Sequence, residues 1–254
     1  MQRDQYLDAI TAESAALADA AEQAGLDAAV PSCPDWTVAD LVTHIGNVQR
    51  WARITVEQRA TERIQWRSVP PPPPAAEILE WFRAQTPALI ATLAATDPAT
   101  PVWSWTSDHT AGFWYRRQAN EVAVHRWDAQ LAVGAPTEID AVLAADGVDE
   151  CIGMAVFRSR ELLTGNGETV HLHCTDIGPG ISTGIGPGTG GGEWLVALTV
   201  DGPVIERVHA KGDVAARGTA SNLDLFVWGR VPVADLEVFG DVALLERFQA
   251  ATQA

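Results

Sequence analysis

Residues 118–128 read Gln118-Ala119-Asn120-Glu121-Val122-Ala123-Val124-His125-Arg126-Trp127-Asp128. The run lies within a predicted helix over residues 112–133, in which Glu121 and His125 are spaced i, i+4. Side chains at that spacing lie one turn apart on the same face, so a carboxylate and an imidazole can converge on one ion. Alanine and valine neighbours predict that at least part of the pair is buried. Buried groups of this kind require a partner, and a shared metal ion satisfies both.

A third candidate ligand, His44, lies far upstream on a second predicted helix. Thr37 with Asp40 three residues later has the pattern of a capping box and predicts the start of this helix, which extends to about residue 58. His44 shares an apolar stripe with Leu41 and Val48. Two histidines and one carboxylate on facing helices would form a three-ligand metal site that keeps a coordination position free.

Each of these residues also has an ordinary interpretation. An i, i+4 Glu/His pair occurs as a surface ion pair, and a histidine on an apolar stripe is often a hydrogen-bonded core residue. The metal-site hypothesis rests on the three residues taken together.

Length, composition and charge narrow the class of protein. The chain has 254 residues, of which 47% are hydrophobic, and it can bury two substantial cores. A net charge of −16 argues against binding to nucleic acid or to an anionic membrane. The three cysteines are far apart and odd in number, which is typical of a reducing compartment. Neither a targeting signal nor a spanning segment is evident, so we expect a cytoplasmic protein with no membrane partner.

The hydrophobic period divides the chain into a helical domain, residues 1–164, and a mixed domain, residues 165–254. The predicted helices of the first domain cover residues 4–24, 37–58, 75–95, 112–133 and 138–163. A run of prolines at residues 70–74 excludes a helix there and predicts an extended connection.

The second domain has the period of strands followed by helices. Strands are predicted at residues 169–175, 193–200 and 204–214, and helices at residues 218–229 and 242–249. Residues 178–192 are rich in glycine and predict a hairpin loop. His171 and His173 share one strand face and could bind metal, but alternation with buried Val170 and Leu172 favours a solvent-side pair.

Three segments of the chain match a pattern shared by one protein family. They are Cys33-Pro34-Asp35-Trp36-Thr37-Val38-Ala39-Asp40-Leu41-Val42-Thr43-His44, Glu121-Val122-Ala123-Val124-His125-Arg126-Trp127-Asp128-Ala129, and Gly218-Thr219-Ala220-Ser221-Asn222-Leu223 with Trp228-Gly229-Arg230 and Gly240-Asp241. In these segments the chain resembles the mycothiol-dependent maleylpyruvate isomerase family of actinobacteria, and the resemblance covers almost the whole chain.

The resemblance implies an α+β protein, in which a DinB-like four-helix bundle precedes a small α/β domain similar to sterol-carrier-protein folds. It implies that His44, Glu121 and His125 bind a divalent metal, usually zinc, and that mycothiol is cofactor or co-substrate. A coordinating thiol is deprotonated outright, which provides a thiolate at neutral pH. The expected activity is an S-transfer, which we favour, or an isomerisation of a small electrophile.

Recognition of the electrophile and of the thiol would need further side chains. A dicarboxylate calls for arginines, for which the candidates are Arg50, Arg53, Arg117 and, as a catalytic residue, Arg230. Tryptophans could stack on the sugar part of mycothiol. The candidates are Trp36, Trp103, Trp105 and Trp114. Asp128 could orient His125 or be a surface charge.

Two other functions remain open from the residues alone. A retained metal could stabilise a non-catalytic ligand-binding protein, or it could activate water in a metal-dependent hydrolase.

Overall fold

The computed structural model of the protein describes residues 1–178 and 191–253. The chain divides into two compact units, an N-terminal unit Gln2–Thr137 and a C-terminal unit that begins at Glu138. The predicted boundary at residues 164/165 differs from this division. The helix that follows Glu138 has an apolar face typical of either domain, and it packs on helices of the C-terminal unit.

Four helices build the N-terminal unit. They are α1 (Arg3–Ala24), α2 (Val38–Glu57), α3 (Ile78–Ala94) and α4 (Ala111–Val133). Helix α1 packs mainly on α4 and α3, and α2 packs mainly on α3 and α4, so the four helices surround a shared core. Leu17, Leu41, Ile45, Phe82 and Val122 are fully or almost fully buried in that core.

Helix α4 is buried over most of its circumference, as its sequence predicts. Gly134 ends it in the left-handed conformation, with φ of 81°. The prolines at residues 70–74 lie outside the helices, between two short 3-10 turns, in agreement with the prediction. Helix α3 therefore begins at Ile78, three residues after the predicted start.

The C-terminal unit combines a five-stranded sheet with three helices. The strands are β1 (Glu168–Cys174), β2 (Glu193–Thr199), β3 (Gly202–Glu206), β4 (Val214–Gly218) and β5 (Glu237–Gly240), and the helices are α5 (Ala141–Arg158), α6 (Ala220–Val227) and α7 (Val242–Gln253). The sheet order is β3-β2-β1-β4-β5; β1 and β4 are parallel, and the other pairs are antiparallel. This confirms a helical N-terminal part followed by a mixed helix-and-sheet part.

Two details of the predicted second unit are wrong. The single strand expected over residues 204–214 is two strands, β3 and β4, joined by residues 207–213, and these two strands pair with different neighbours. The short strand β5 was not predicted. The glycine-rich loop predicted at residues 178–192 lies largely outside the described residues.

Alternation along β1 and β2 separates the two faces of the sheet. Val170 and Leu172 of β1, with Trp194 and Val196 of β2, are almost fully buried. Helices α6 and α7 contact β1 and β4. Among the helices of the described residues, none combines the length and hydrophobicity that crossing a bilayer requires.

Candidate metal centre

The structure brings the three predicted ligands together inside the N-terminal unit. Nε2 of His44, on α2, lies 3.1 Å from Oε1 of Glu121, on α4. Nε2 of His125 lies 3.7 Å from the same oxygen. One potential ligand atom from each residue lies within 4.8 Å of the other two. Two imidazole nitrogens and one carboxylate oxygen thus face a common point, which is the donor set that zinc and similar ions bind.

The N-terminus of α2 is fixed by the capping box predicted from sequence. The Thr37 hydroxyl accepts a hydrogen bond from the Asp40 backbone N–H at 3.2 Å, and the Asp40 carboxylate accepts one from the Thr37 backbone N–H at 2.9 Å. His44 lies two turns further along the helix. The cap therefore sets where the helix begins and, with it, the position of His44 opposite α4.

Asp128 orients the ring of His125. Its Oδ2 lies 2.7 Å from Nδ1 of His125, and its Oδ1 accepts a hydrogen bond of 2.6 Å from the Ser32 hydroxyl. The Asp128 side chain has no exposed surface, so this contact is protected from water. A carboxylate that accepts from Nδ1–H leaves the Nε2 lone pair of the ring free to bind a cation.

Arg117 holds the other oxygen of the Glu121 carboxylate. Its guanidinium forms a buried ion pair with Oε2, while Oε1 faces the two histidines. Burial raises the pKa of Glu121, but the charge of Arg117, the hydrogen bond from His44 and the neighbouring imidazoles outweigh it and hold this pKa well below its usual range. The carboxylate is therefore ionised at neutral pH and available to a cation.

Trp36 forms an aromatic wall beside the two histidines. Its ring centroid lies 4.9 Å from that of His44 and 5.9 Å from that of His125, and it is nearly parallel to the His125 ring. The His44 side chain is 34% exposed, whereas that of Glu121 is 16% exposed and that of His125 is 9% exposed. The centre is thus accessible from the side of His44 and enclosed on the side of α4.

Comparison with known families agrees with this organisation. Residues 7–130 match the family described as "Mycothiol maleylpyruvate isomerase N-terminal domain", and residues 142–247 match "MDMPI C-terminal domain". The chain belongs to the mycothiol-dependent maleylpyruvate isomerase family, a family of enzymes. The resemblance proposed from the sequence is therefore confirmed.

Two solved structures share the fold. Both are crystal structures titled as the mycothiol-dependent maleylpyruvate isomerase, one of them of a histidine-to-alanine mutant. The TM-score is 0.60 for the structure without the mutation and 0.56 for the mutant structure. Each protein is 10% identical to this chain, and each match covers 95% of both chains. At this identity the likeness shows a common fold. No protein of curated function matches the chain.

The arginines predicted to bind the electrophile differ from one another in their surroundings. Arg50 donates to the carbonyl oxygens of Pro70 and Pro71 and lies over the Trp81 ring, so it secures the proline segment. Arg53 pairs with Glu57 on its own helix at 2.7 Å.

The remaining two arginines also have surroundings that differ from each other. Arg117 contacts the metal centre through Glu121, a position that its i, i+4 spacing from that residue could have predicted. Arg230 belongs to the C-terminal unit, where its Nη1 donates to the Trp228 carbonyl at 2.7 Å.

The four tryptophans considered for sugar stacking separate into two groups. Trp36 lines the metal centre, whereas Trp103, Trp105 and Trp114 pack with Trp51, with ring centroids 5.1–5.9 Å from it. Trp51, Trp103, Trp105 and Trp114 therefore form a tryptophan cluster in the N-terminal unit. Composition could not distinguish the two roles, because aromatic side chains serve equally in cores and in binding sites.

Proposed function

We propose that the chain is a mycothiol-dependent isomerase whose centre at His44, Glu121 and His125 binds a divalent metal, with zinc as the expected ion. The observation that carries this proposal is the convergence of these three donors inside the N-terminal unit of a member of this family. The partners are a low-molecular-weight thiol and a small electrophile. The chemistry would suit an unsaturated dicarboxylate of the maleylpyruvate type.

The residues present fit such an ion. They supply two nitrogen ligands and one ionised oxygen ligand, and the exposed edge of His44 leaves access for a further ligand. A metal bound there would supply the positive charge that lowers the pKa of a coordinating thiol and makes it a thiolate at neutral pH. His44, Glu121 and His125 would hold the ion.

The surrounding residues prepare this centre. Asp128 accepts the Nδ1 proton of His125 and so favours the tautomer with a free lone pair on Nε2, the nitrogen that faces Glu121. Arg117 fixes the Glu121 carboxylate so that one oxygen points at the histidines. Trp36 provides an apolar surface beside the access side, against which part of a thiol or electrophile could pack.

An isomerisation catalysed by a thiol is redox-neutral, so it needs no oxidant or reductant. The sulfur of a thiolate would add to one carbon of an activated double bond, and the π electrons would move onto the conjugated carbonyl as an enolate. Rotation about the resulting single bond would follow, and return of those electrons would expel the same thiolate and restore the double bond. A transferase would retain the carbon–sulfur bond instead. The three predicted ligands suit both reactions, and transfer is the expectation from sequence because no residue pattern establishes a dicarboxylate pocket. Membership in the isomerase family favours isomerisation.

We also propose that Arg230 binds the electrophile. Its guanidinium could form a bidentate pair with a carboxylate of the substrate. We expect Arg230→Lys to raise the KM of a dicarboxylate substrate and to leave metal content unchanged. Equal KM values for variant and wild type would exclude this role for Arg230.

We also propose finer assignments of the two folds. The N-terminal unit would be DinB-like, a proposal supported by four packed helices of which two contribute the His, Glu and His donors. The C-terminal unit would resemble sterol-carrier-protein folds, supported by its five-stranded sheet with helices.

Metal content and thiol-dependent turnover in His44→Ala test the proposal together. Loss of one of three ligands should sharply weaken the open site and abolish turnover, while the helical circular dichroism persists because the core is apolar. His109→Ala is the matched control, since His109 is an exposed histidine of the same unit outside the centre. Glu121→Gln keeps the shape of the ligand and removes its charge.

Three outcomes would contradict the proposal. Unchanged metal binding in both His44→Ala and Glu121→Gln would exclude this centre. Turnover in the absence of any thiol would indicate a metal-dependent hydrolase. Metal binding by a protein that forms no thiolate and turns over no electrophile would indicate a ligand-binding protein.

A further inference from the structure

A second cluster of histidines lies on the sheet of the C-terminal unit. His171 and His173 of β1 are on the face opposite the buried Val170 and Leu172, and Glu193 of β2 pairs with His173 in the strand register. His209 comes from the connection between β3 and β4. Five of the six histidines in the chain therefore lie in the two clusters, and His109 is the sixth.

Three imidazole nitrogens point at one carboxylate oxygen. Oε2 of Glu193 lies 2.6 Å from Nδ1 of His209, 3.0 Å from Nε2 of His171 and 3.8 Å from Nδ1 of His173. Ligand atoms of His171, Glu193 and His209 lie within 4.8 Å of one another. A carboxylate oxygen surrounded by three rings at these distances marks a point that imidazoles approach from three directions.

The ring arrangement is close to that of a histidine-coordinated ion. The centroids of the three rings are 5.7–6.0 Å apart in each pairing. Zinc–nitrogen bonds of about 2.0–2.1 Å with tetrahedral angles would place such centroids about 5 Å apart. The observed ring spacing is therefore within about 1 Å of the spacing that such coordination gives.

The burial of His171 and the local charge balance suit a bound cation at this cluster. His171 is 5% exposed, although we expected a solvent-side residue, because the rest of the cluster covers it. Burial lowers the pKa of His171, and the hydrogen bond and charge of Glu193 act in the opposite direction. Arg217, beside His173 on β4, pairs with Glu237 at 2.9 Å, so its charge is balanced locally.

We propose that His171, Glu193 and His209, with His173 adjacent, form a second binding site for a divalent transition metal of the imidazole-preferring class, such as zinc. This site is separate from the centre at His44 and does not depend on the proposed function. Because His209 belongs to the segment 207–213, the ion would tie the connection between β3 and β4 to the face of β1 and β2.

Metal stoichiometry of the full-length chain tests this site. The protein is stripped with a chelator and dialysed against about 10 μM free Zn²⁺, at which a site of about 1 μM Kd is roughly nine-tenths filled. We expect about two zinc ions per chain for the wild type and for the control His109→Ala. About one ion should remain in His44→Ala, about one in His209→Ala, and almost none in the double variant His44→Ala/His209→Ala.

Because the His209 side chain is 78% exposed, its replacement should leave the fold intact. Glu193→Gln provides an independent variant with the same expected loss. Wild-type zinc content in both His209→Ala and Glu193→Gln would overturn the proposal, as would a single ion in the wild type that disappears in His44→Ala.

Hydrogen exchange provides a second readout. In His44→Ala, zinc should slow amide exchange within residues 207–213, and it should have no such effect in the double variant. Equal exchange with and without zinc in His44→Ala would overturn the anchoring of this segment. Unchanged zinc content in His44→Ala, by contrast, would count against the N-terminal centre alone.

Discussion

Asp128→Asn tests whether the buried network behind His125 prepares the N-terminal centre for metal. The wild-type carboxylate lies 2.7 Å from Nδ1 of His125 and has no exposed surface. The neutral amide still fits, and its oxygen can still accept from Nδ1–H. Its NH₂ group can instead donate to Nδ1, which would place the ring proton on Nε2 and block that nitrogen as a ligand.

The expected loss follows from this contact. Removing an outer partner of a metal-binding histidine lowers metal affinity by about 10–100-fold, which corresponds to about 1.4–2.7 kcal/mol. We therefore expect at least a tenfold weaker Kd for zinc in Asp128→Asn.

Competition of the protein with a chromophoric chelator measures this Kd. The experiment is best done in a His209→Ala background, so that the second proposed site does not contribute. Asp27→Asn is the matched control, because it makes the same change of charge at an exposed position and should leave the Kd unchanged. A wild-type Kd in a cooperatively folded Asp128→Asn, or equal losses in both variants, would refute the reasoning.

Two further predictions concern the helix that carries His44. In Gly46→Ala the added methyl group would lie 2.1 Å from the Trp81 ring, so we expect a loss of about 1–3 kcal/mol in the free energy of unfolding. The control Gly153→Ala should cost nothing, because no atom lies within 4 Å of the added methyl group. Equal denaturation midpoints of the two variants would contradict this prediction. Thr37→Ala should cost about 1 kcal/mol. Because hydrogen bonds from the Thr37 hydroxyl and N–H lower the pKa of Asp40, their stabilisation is complete above the unfolded pKa of about 3.9 and is lost as pH falls through the folded pKa. Urea titrations should therefore show the difference between variant and wild type shrinking in acid, and a constant difference would argue against the cap.

Much of the N-terminal unit could be predicted because its signals are local. The i, i+4 spacing of Glu121 and His125 and the capping box at Thr37 depend on residues within one helical turn. That His44 faces the pair follows once both helices have buried their apolar sides. The hydrogen bond from Ser32 to Asp128 joins residues 96 positions apart, and no local pattern indicates it.

The C-terminal unit was predicted less accurately because its contacts are less local. The segment 204–214 contains two apolar stretches, and only the pairing partners show that they belong to different strands. The strand β5 has four residues and little buried surface, so its alternation carries little signal. Glu193 and His209 meet His171 through sheet register and a loop, and the strand pattern alone therefore favoured a solvent-side pair.

Proton release on mycothiol binding tests most directly the claim that the His44, Glu121 and His125 centre activates a thiol. Calorimetric titrations of metal-loaded and metal-stripped protein, in two buffers of different ionisation enthalpy, give the number of protons released per thiol bound. We predict about one proton per site from the loaded protein and none from the stripped protein, because a coordinating thiol is deprotonated outright. Equal proton release from the two forms, or no binding of thiol by the loaded protein, would contradict the account.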